Sequence, residues 1–143
     1  MLSSACQYGL RAMIYLAQQP GDVYLPVRRI SSTLDVSHPF LAKILQQLVI
    51  KDMLVSLRGP SGGVKLARAS TKIRLNDIVL AIDGQKVFDS CVLGLPGCGH
   101  RRPCPMHEAW GELRSNFCDM LEKTTLAAFA ERTEVGGFRL TPT

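Results

Sequence analysis

Four side chains of the kind that ligate transition metals lie within one Gly/Pro-rich stretch, CVLGLPGCGHRRPCPMH, which covers residues 91–107. They are Cys91, Cys98, Cys104 and His107, spaced C-x6-C-x5-C-x2-H. Structural zinc sites usually contain close C-x2–4-C pairs, which this stretch lacks. Long intervals with glycines, where the backbone can approach a bound group, favour a wider group such as an iron–sulfur cluster. We therefore interpret the four residues as ligands of such a cluster, with zinc as an alternative.

The adjacent Arg101 and Arg102 are consistent with two kinds of chemistry. They would offset the negative charge of a cluster, and without a cluster they would lower the pKa of nearby thiols. A metal-free switch, in which the cysteines oxidise to a disulfide, is therefore the other main hypothesis. Cys104 and His107 could also form a nucleophile–base pair, but no orienting third residue or substrate pocket can be identified, so an enzyme is not expected. His107 could instead be a polar residue in the first turn of an exposed helix.

Basic side chains are concentrated in the first half of the chain. Residues 1–75 contain ten Lys or Arg and three Asp or Glu, a net charge of +7, whereas residues 76–143 have a net charge of −2. A basic region of this kind is a candidate for contact with nucleic acid. The N-terminus has no basic leader, and no charge-free apolar run is long enough to span a membrane. We therefore expect a cytoplasmic protein without a membrane partner, whose cysteines stay reduced.

The spacing of apolar residues predicts the elements that position these groups. It indicates helices over residues 4–18, 27–34 and about 40–52, a hairpin within 54–68, and helices over 75–82 and from Pro105 onward. The hairpin turns at Gly-Pro-Ser-Gly-Gly. This order is typical of a winged helix-turn-helix, in which one helix enters the major groove and a basic hairpin, the wing, lies beside it. The predicted fold is therefore mainly α, with a DNA-binding domain and a long C-terminal helix.

The predicted DNA contacts lie on the elements that would face the grooves. Arg58 and Gly59 form the tip of the wing, which is thin enough for one arginine to enter a narrow minor groove. Ser37 and His38 open the third helix, and Ser37 is also a candidate N-cap. The full predicted set is Arg28, Arg29, Ser37, His38, Lys43, Arg58, Gly59 and Lys65, with Arg68 near the same face.

Four segments of the chain resemble the Rrf2 family of bacterial winged-helix transcription regulators. They are QYGLRAMIYLA, VRRISSTLDVSHPFLAKILQQL, LVSLRGPSGGVKLAR and IRLNDIVLAIDG, and the resemblance runs from about Ser3 to Leu121. It implies a homodimer on a pseudo-palindromic double-stranded DNA operator. It also implies that Arg58 enters the minor groove and that the helix from Pro105 pairs with its copy in the partner subunit.

The same resemblance bears on the cysteine stretch. Cluster-binding members carry three cysteines in this loop, and one group adds a histidine three residues after the last cysteine, where His107 stands. Other members take an acidic fourth ligand from near the start of the partner's first helix, where this chain has Gln7. If His107 is not a ligand, Cys6 or Glu108 would be the next candidates. A two-iron cluster is favoured over a four-iron one, and a given preparation could lack it.

These interpretations divide the chain into four parts. Residues 1–84 form the DNA-binding region, 85–104 a cysteine-rich sensor loop, 105–132 a dimerisation helix and 133–143 a flexible tail. The dimerisation helix is predicted from an apolar stripe that either packs on its own domain or is covered by a partner. A partner is favoured, since a winged helix already has a closed core. The stripe consists of Trp110, Leu113, Phe117, Met120 and Leu121.

Overall fold

A computed structural model describes residues 1–142 as seven α-helices and one two-stranded antiparallel hairpin. The helices are α1 (Ser4–Ala17), α2 (Val27–Leu34), α3 (His38–Ile50), α4 (Leu75–Ile82), α5 (Lys86–Asp89), α6 (His107–Lys123) and α7 (Leu126–Gly136). The strands are β1 (Leu54–Leu57) and β2 (Gly63–Leu66), and a 3₁₀ turn covers Ser70–Lys72. No helix within residues 1–142 is both long enough and apolar enough to cross a membrane.

The turn between α2 and α3 is three residues long. Asp35 ends α2 in the left-handed conformation, with φ of 53°, and the amide of Val36 donates to the Ser31 carbonyl at 3.0 Å. α3 begins at His38, as predicted, and Pro39 is tolerated there because it lies in the first turn of the helix. Ser37 holds the N-cap position, but its side chain makes no capping hydrogen bond, contrary to our expectation.

The wing, β1 and β2, is joined to the segment before α2. Val64 and Leu25 exchange two backbone hydrogen bonds of 2.9 Å each. Gly63, with φ of 152°, permits this contact, since a Cβ there would lie 2.0 Å from the Leu25 carbonyl oxygen. The sequence pattern did not predict this bridge, which holds the wing against the helix-turn-helix.

α1 lies at the centre of the core. Gly9 allows close approach of α4, because a Cβ there would lie 2.3 Å from Cδ1 of Ile82. The Gln47 side chain of α3 donates to the Ala81 and Ile82 carbonyls, at 3.1 and 3.2 Å, at the end of α4. The core residues that expose at most 1% of their surface include Met13, Ile30, Leu34, Leu41, Leu45, Leu48, Leu54, Ile73, Ile78 and Leu126.

The prediction of one helix over 105–132 is wrong, because two helices meet at Thr124 and Thr125. Thr124 is extended, and the Thr125 hydroxyl caps α7 by accepting from the Ala128 amide at 3.2 Å. The backbone at this junction pairs with the start of α4: Leu75 donates to the Thr124 carbonyl at 3.1 Å. In the same pairing, Leu126 donates to the Ile73 carbonyl at 2.8 Å. These hydrogen bonds favour an extended backbone over a continuous helix.

The prediction of a flexible tail from residue 133 also needs correction. α7 continues to Gly136 and ends where Gly137 takes a φ of 64°. The chain then returns to α1, where the Arg11 guanidinium donates to the carbonyls of Leu140 and Leu34. Leu140 packs against the core, so this part of the tail is held in place. Thr143 lies outside the described residues.

Candidate nucleic-acid interface and cysteine loop

An open groove of about 580 Å³ lies between the start of α2, the exposed face of α3 and the wing. Arg28, His38 and Arg58 line it from these three elements, together with Gly59. All four are exposed. The groove therefore presents basic and polar groups from α2, α3 and the wing on one side of the molecule.

The other predicted DNA contacts lie outside the groove lining. Arg29, Ser37 and Lys43 are exposed on α2, on the turn and on α3. Lys65 is partly buried, with its Nζ 4.7 Å from the centre of the Tyr24 ring, a cation–π contact that stabilises the base of the wing. Arg68 pairs with Asp77 at 3.7 Å and donates to the Lys72 carbonyl at 3.4 Å, so its guanidinium has partners within the chain.

The sequence analysis missed Gln46, whose side chain lines the same groove. Gln46 is exposed on α3, eight residues after His38, whereas Leu41, Leu45 and Leu48 are buried. The helical spacing of those leucines was the signal from which the exposure of Gln46 could have been predicted. A glutamine amide can form two hydrogen bonds to an adenine edge in the major groove.

The cysteine loop, residues 85–104, brings the predicted ligands together in two pairs. The Sγ atoms of Cys91 and Cys104 are 3.7 Å apart. Cys98 Sγ lies 3.7 Å from Nδ1 of His107, which is the first residue of α6. Glycines in the left-handed conformation at 94 and 97 turn the backbone between them.

The electrostatic surroundings of Cys91 favour its thiolate. Backbone N–H groups of Leu93 and then Leu95 point at the sulfur and lower the pKa of this thiol. The thiols of Cys104 and Cys98 act in the same direction. Cys91 is only 8% exposed, and this ring of donors compensates for the loss of water around the sulfur.

The spacing within each pair suits two ligands on one metal. Sulfur ligands about 2.3 Å from a tetrahedral metal lie about 3.8 Å from each other, and a sulfur–nitrogen pair lies slightly closer. Both pairs are within a few tenths of an ångström of these values. Among residues 1–142, no group of three or more His, Cys, Asp or Glu is arranged around a single ion. The distance within each pair therefore fits two ligands on one metal.

His107 also has a partner on its other nitrogen. Its Nε2 lies 3.1 Å from Nδ1 of His100, and the two rings are edge to face, with their centres 4.8 Å apart. If Nε2 carries the proton, Nδ1 keeps a free lone pair on the side of Cys98. The sequence analysis did not identify His100.

The alternative fourth ligands are less well placed. Cys6 is fully buried in the core, where burial, followed by the charge and hydrogen bonding of Asp83, raises its pKa to about 12. A fourth ligand from Cys6, which would have to come from the partner subunit across a dimer, stays a prediction. Gln7 is exposed, and its side chain donates to the Leu2 carbonyl at 3.3 Å. Glu108 is exposed in the first turn of α6.

Only part of the apolar stripe on α6 is available to a partner. Leu121 is buried at 2% exposure, and Phe117 packs against the core of its own chain. Leu113 and Met120 are 62% and 48% exposed. The face left for a partner is therefore narrower than the sequence suggested.

The helix-turn-helix, the wing and the groove between them define a winged-helix DNA-binding protein. The model of a family described as "Rrf2: Iron-dependent Transcriptional regulator" matches residues 2–132. A provisionally named HTH-type transcriptional regulator of Aquifex aeolicus is 31% identical over 128 residues, which are 88% of each chain. The chain therefore belongs to the Rrf2 family of transcriptional regulators, which are DNA-binding proteins and not enzymes.

Two further relatives agree with this assignment. The HTH-type transcriptional regulator IscR of Sodalis glossinidius is 28% identical over 134 residues, covering 94% of this chain and 81% of its own. The structure of CymR, described as the global cysteine regulator of B. subtilis, superposes with a TM-score of 0.78 at 27% identity. That likeness covers 93% of this chain and 98% of CymR.

Proposed function

We propose that this protein is a dimeric transcriptional regulator whose operator affinity responds to an iron–sulfur cluster of the two-iron type. The observation that carries the proposal is the meeting of Cys91 with Cys104 and of Cys98 with His107, each pair at 3.7 Å. A two-iron cluster takes two protein ligands on each iron, so it matches this pairing. The description of the family as iron-dependent regulators is consistent with it.

The groove residues account for DNA binding. α3 presents His38 and Gln46 to a major groove, and the wing presents Arg58 to the adjacent minor groove. The exposed Arg28, Arg29 and Lys43 neutralise phosphates on either side. Because its target is chromosomal DNA, we place the protein in the cytoplasm.

The dimer rests on the exposed part of α6. Leu113 and Met120 lie seven residues apart on one face, a spacing suited to pairing with a second copy of the helix. Pairing about a two-fold axis would place two grooves on successive turns of a pseudo-palindromic operator. The Leu113→Glu variant should then be monomeric by light scattering while keeping its circular dichroism spectrum.

The cluster, when bound, would supply reversible one-electron chemistry. The chain holds its ligands against α6, since the Trp110 indole donates to the Ser90 carbonyl at 3.0 Å and His107 is the first residue of that helix. Ligand loss would therefore free both the loop and the beginning of the proposed dimer helix. A change in this region alters how the two DNA-binding units are placed relative to each other.

Anaerobic reconstitution with iron and sulfide tests the proposal. The wild type should bind about two irons and two sulfides per chain and show a visible spectrum typical of a cluster. Cys104→Ala should lose the chromophore and change operator affinity. The matched control is Cys118→Ala, which removes a thiol of α6 outside the ligand pairs. Equal cluster uptake by Cys104→Ala and the wild type would refute the assignment of this ligand.

His107 needs a separate comparison, because it is the only proposed ligand that is not a thiol. His107→Ala should lose or shift the visible and electron paramagnetic resonance spectra, whereas His107→Cys should restore cluster binding with an altered spectrum. If His107→Ala has the wild-type spectrum and iron content, the fourth ligand lies elsewhere, and Glu108 is the next residue to replace.

A metal-free thiol switch is the second candidate, favoured by the lowered pKa of Cys91 and its proximity to Cys104. Hydrogen peroxide would convert the Cys91 thiolate to a sulfenic acid, and condensation with the Cys104 thiol would form a disulfide and release water. Peptide mapping after peroxide treatment of the metal-free protein would detect this bond. A change of operator affinity on oxidation, reversed by dithiothreitol, would support this candidate over the cluster.

A further inference from the structure

Two side chains of α6 hold the cysteine loop by donating hydrogen bonds to the same backbone oxygen. The Trp110 indole and the Arg114 guanidinium both donate to the carbonyl of Ser90, at 3.0 and 3.3 Å. Ser90 directly precedes the first cysteine of the loop. Because positions 107, 110 and 114 share one face of a helix, the residue that contacts Cys98 and the two that hold Ser90 are aligned along α6.

Arg114 has a second contact, with a proposed cluster ligand. The same Nη1 atom lies 3.9 Å from Sγ of Cys98, within hydrogen-bonding range for sulfur. Cys98 is therefore placed between His107 at the start of α6 and Arg114 two turns later. Arg114 is partly buried, which strengthens its interaction with a thiolate compared with an exposed arginine.

We propose that Arg114 is a positioning residue that holds Cys98 toward His107 and raises the reduction potential of the cluster. This inference rests on the proposed function, since it concerns a ligand of the same site. Reduction adds an electron, and so negative charge, to the cluster and its sulfur ligands. A guanidinium that donates to one of those sulfurs stabilises the reduced form more than the oxidised form.

The two arginines of the loop differ from Arg114 in geometry. Arg101 and Arg102 are exposed and, with Gly97, Gly99 and His100, line an open pocket of about 440 Å³. Within residues 1–142, neither is hydrogen-bonded to a cysteine sulfur. They carry the same charge as Arg114 without its hydrogen bond to a cysteine sulfur. Replacing one of them therefore distinguishes the effect of that hydrogen bond from the effect of net charge.

A redox titration tests the proposal. Wild type, Arg114→Gln, Arg114→Lys and Arg101→Gln are reconstituted anaerobically and reduced with dithionite in the presence of mediators, while the cluster absorbance is recorded. In Arg114→Gln the reduced-to-oxidised ratio at a fixed potential should fall about tenfold, which is about 59 mV for a one-electron couple. Arg101→Gln should change the ratio less than about twofold, because solvent and salt screen an exposed charge. Arg114→Lys, which keeps the charge, should lie between Arg114→Gln and the wild type.

A second readout needs no cluster. Trp110 is the only tryptophan of the chain, so its emission reports on the contact with Ser90. In the metal-free protein, Arg114→Gln should shift this emission to longer wavelength as the loop loosens, whereas Arg101→Gln should leave it unchanged.

The outcomes separate this inference from the proposed function. If the wild type takes up no cluster, the proposed function fails, and the claim about potential fails with it. If Arg114→Gln binds a cluster with the wild-type potential, the role of Arg114 is refuted while the cluster stands. Equal shifts of the reduction potential in Arg114→Gln and Arg101→Gln would likewise refute the role of Arg114, because net charge alone would then explain the effect.

Discussion

Arg58 and Lys65 are both basic residues of the wing, but their side chains have different surroundings. Arg58 is exposed at the rim of the groove, next to Gly59 with its φ of 109°. Lys65 is partly buried over the Tyr24 ring. Within residues 1–142 no hydrogen bond or ion pair holds the Arg58 side chain, so it can enter a minor groove without breaking one, whereas the lysine would have to leave its aromatic partner.

Arg58→Ala should therefore weaken binding to a selected operator by about 1–3 kcal/mol, because one groove contact is lost. Lys65→Ala should weaken operator binding by less than Arg58→Ala does. Fluorescence anisotropy with a duplex selected from a random pool measures the affinities. The thermal unfolding midpoint of Arg58→Ala should match the wild type, whereas that of Lys65→Ala should be slightly lower, because it loses the contact with Tyr24. An unchanged affinity for Arg58→Ala would mean that the wing does not enter the groove.

Cys6 should be the least reactive thiol of the native, metal-free protein. Its side chain is fully buried and its pKa is raised to about 12, so little thiolate forms near neutral pH. Cys91, whose pKa is lowered, should have the largest thiolate fraction. Alkylation by iodoacetamide, followed by mass spectrometry, should modify Cys6 only in denaturant. Its modification at the same rate as Cys118 in the native protein would contradict the buried position.

Among the elements, the wing depends most on a single close backbone contact. Gly63 lies against the Leu25 carbonyl, in a conformation that L-residues avoid. Ser61, two residues earlier, is exposed at the tip. Gly63 therefore has no room for a side chain, whereas Ser61 in the same hairpin does.

Gly63→Ala should lower the free energy of unfolding by about 1–3 kcal/mol or more, from backbone strain and loss of the pairing with Leu25. Urea unfolding followed by circular dichroism gives the value, and Ser61→Ala is the matched control, expected within about 0.5 kcal/mol of the wild type. Equal stabilities for the two variants would show that the close approach of Gly63 to Leu25 is not needed.

The sequence predicted these elements best where their pattern is local. The bounds of α2 and α4 agree with the predicted ranges, since each buries one face and ends at a turn residue. The break between α6 and α7 depends on pairing with Ile73 and Leu75, some fifty residues earlier, and the helical period alone does not show it. The four proposed ligands were found from spacing, whereas His100 and Arg114 needed the folded loop.

At the scale of the whole molecule, charge is divided along the chain. Residues 1–75 carry the net charge of +7 together with the groove, and the remainder carries −2. The proposed DNA-binding face is therefore basic, and the half that contains α6 and α7 has little net attraction for DNA. Binding should depend strongly on salt, because each neutralised phosphate releases counterions.

The affinity of a dimer that neutralises about six phosphates should fall about 10³-fold between about 50 and 200 mM salt, with a log–log slope of about −0.9 per phosphate. Anisotropy at four or more salt concentrations gives the slope. Arg28→Ala should reduce the number of neutralised phosphates by about one per subunit, and the slope should become less steep accordingly. A flat salt response would be incompatible with the basic face as the DNA-binding surface.

α6 is attached at both of its ends. At one end it carries His107 beside the loop, and at the other the Thr124 junction is hydrogen-bonded to the segment that leads from the wing into α4. Its 17 residues make a rod about 25 Å long. Such a rod is a lever arm: a tilt of about 5° at the loop displaces the far end by about 2 Å. That displacement would reach the chain that follows the wing through the backbone hydrogen bonds of the Thr124 junction.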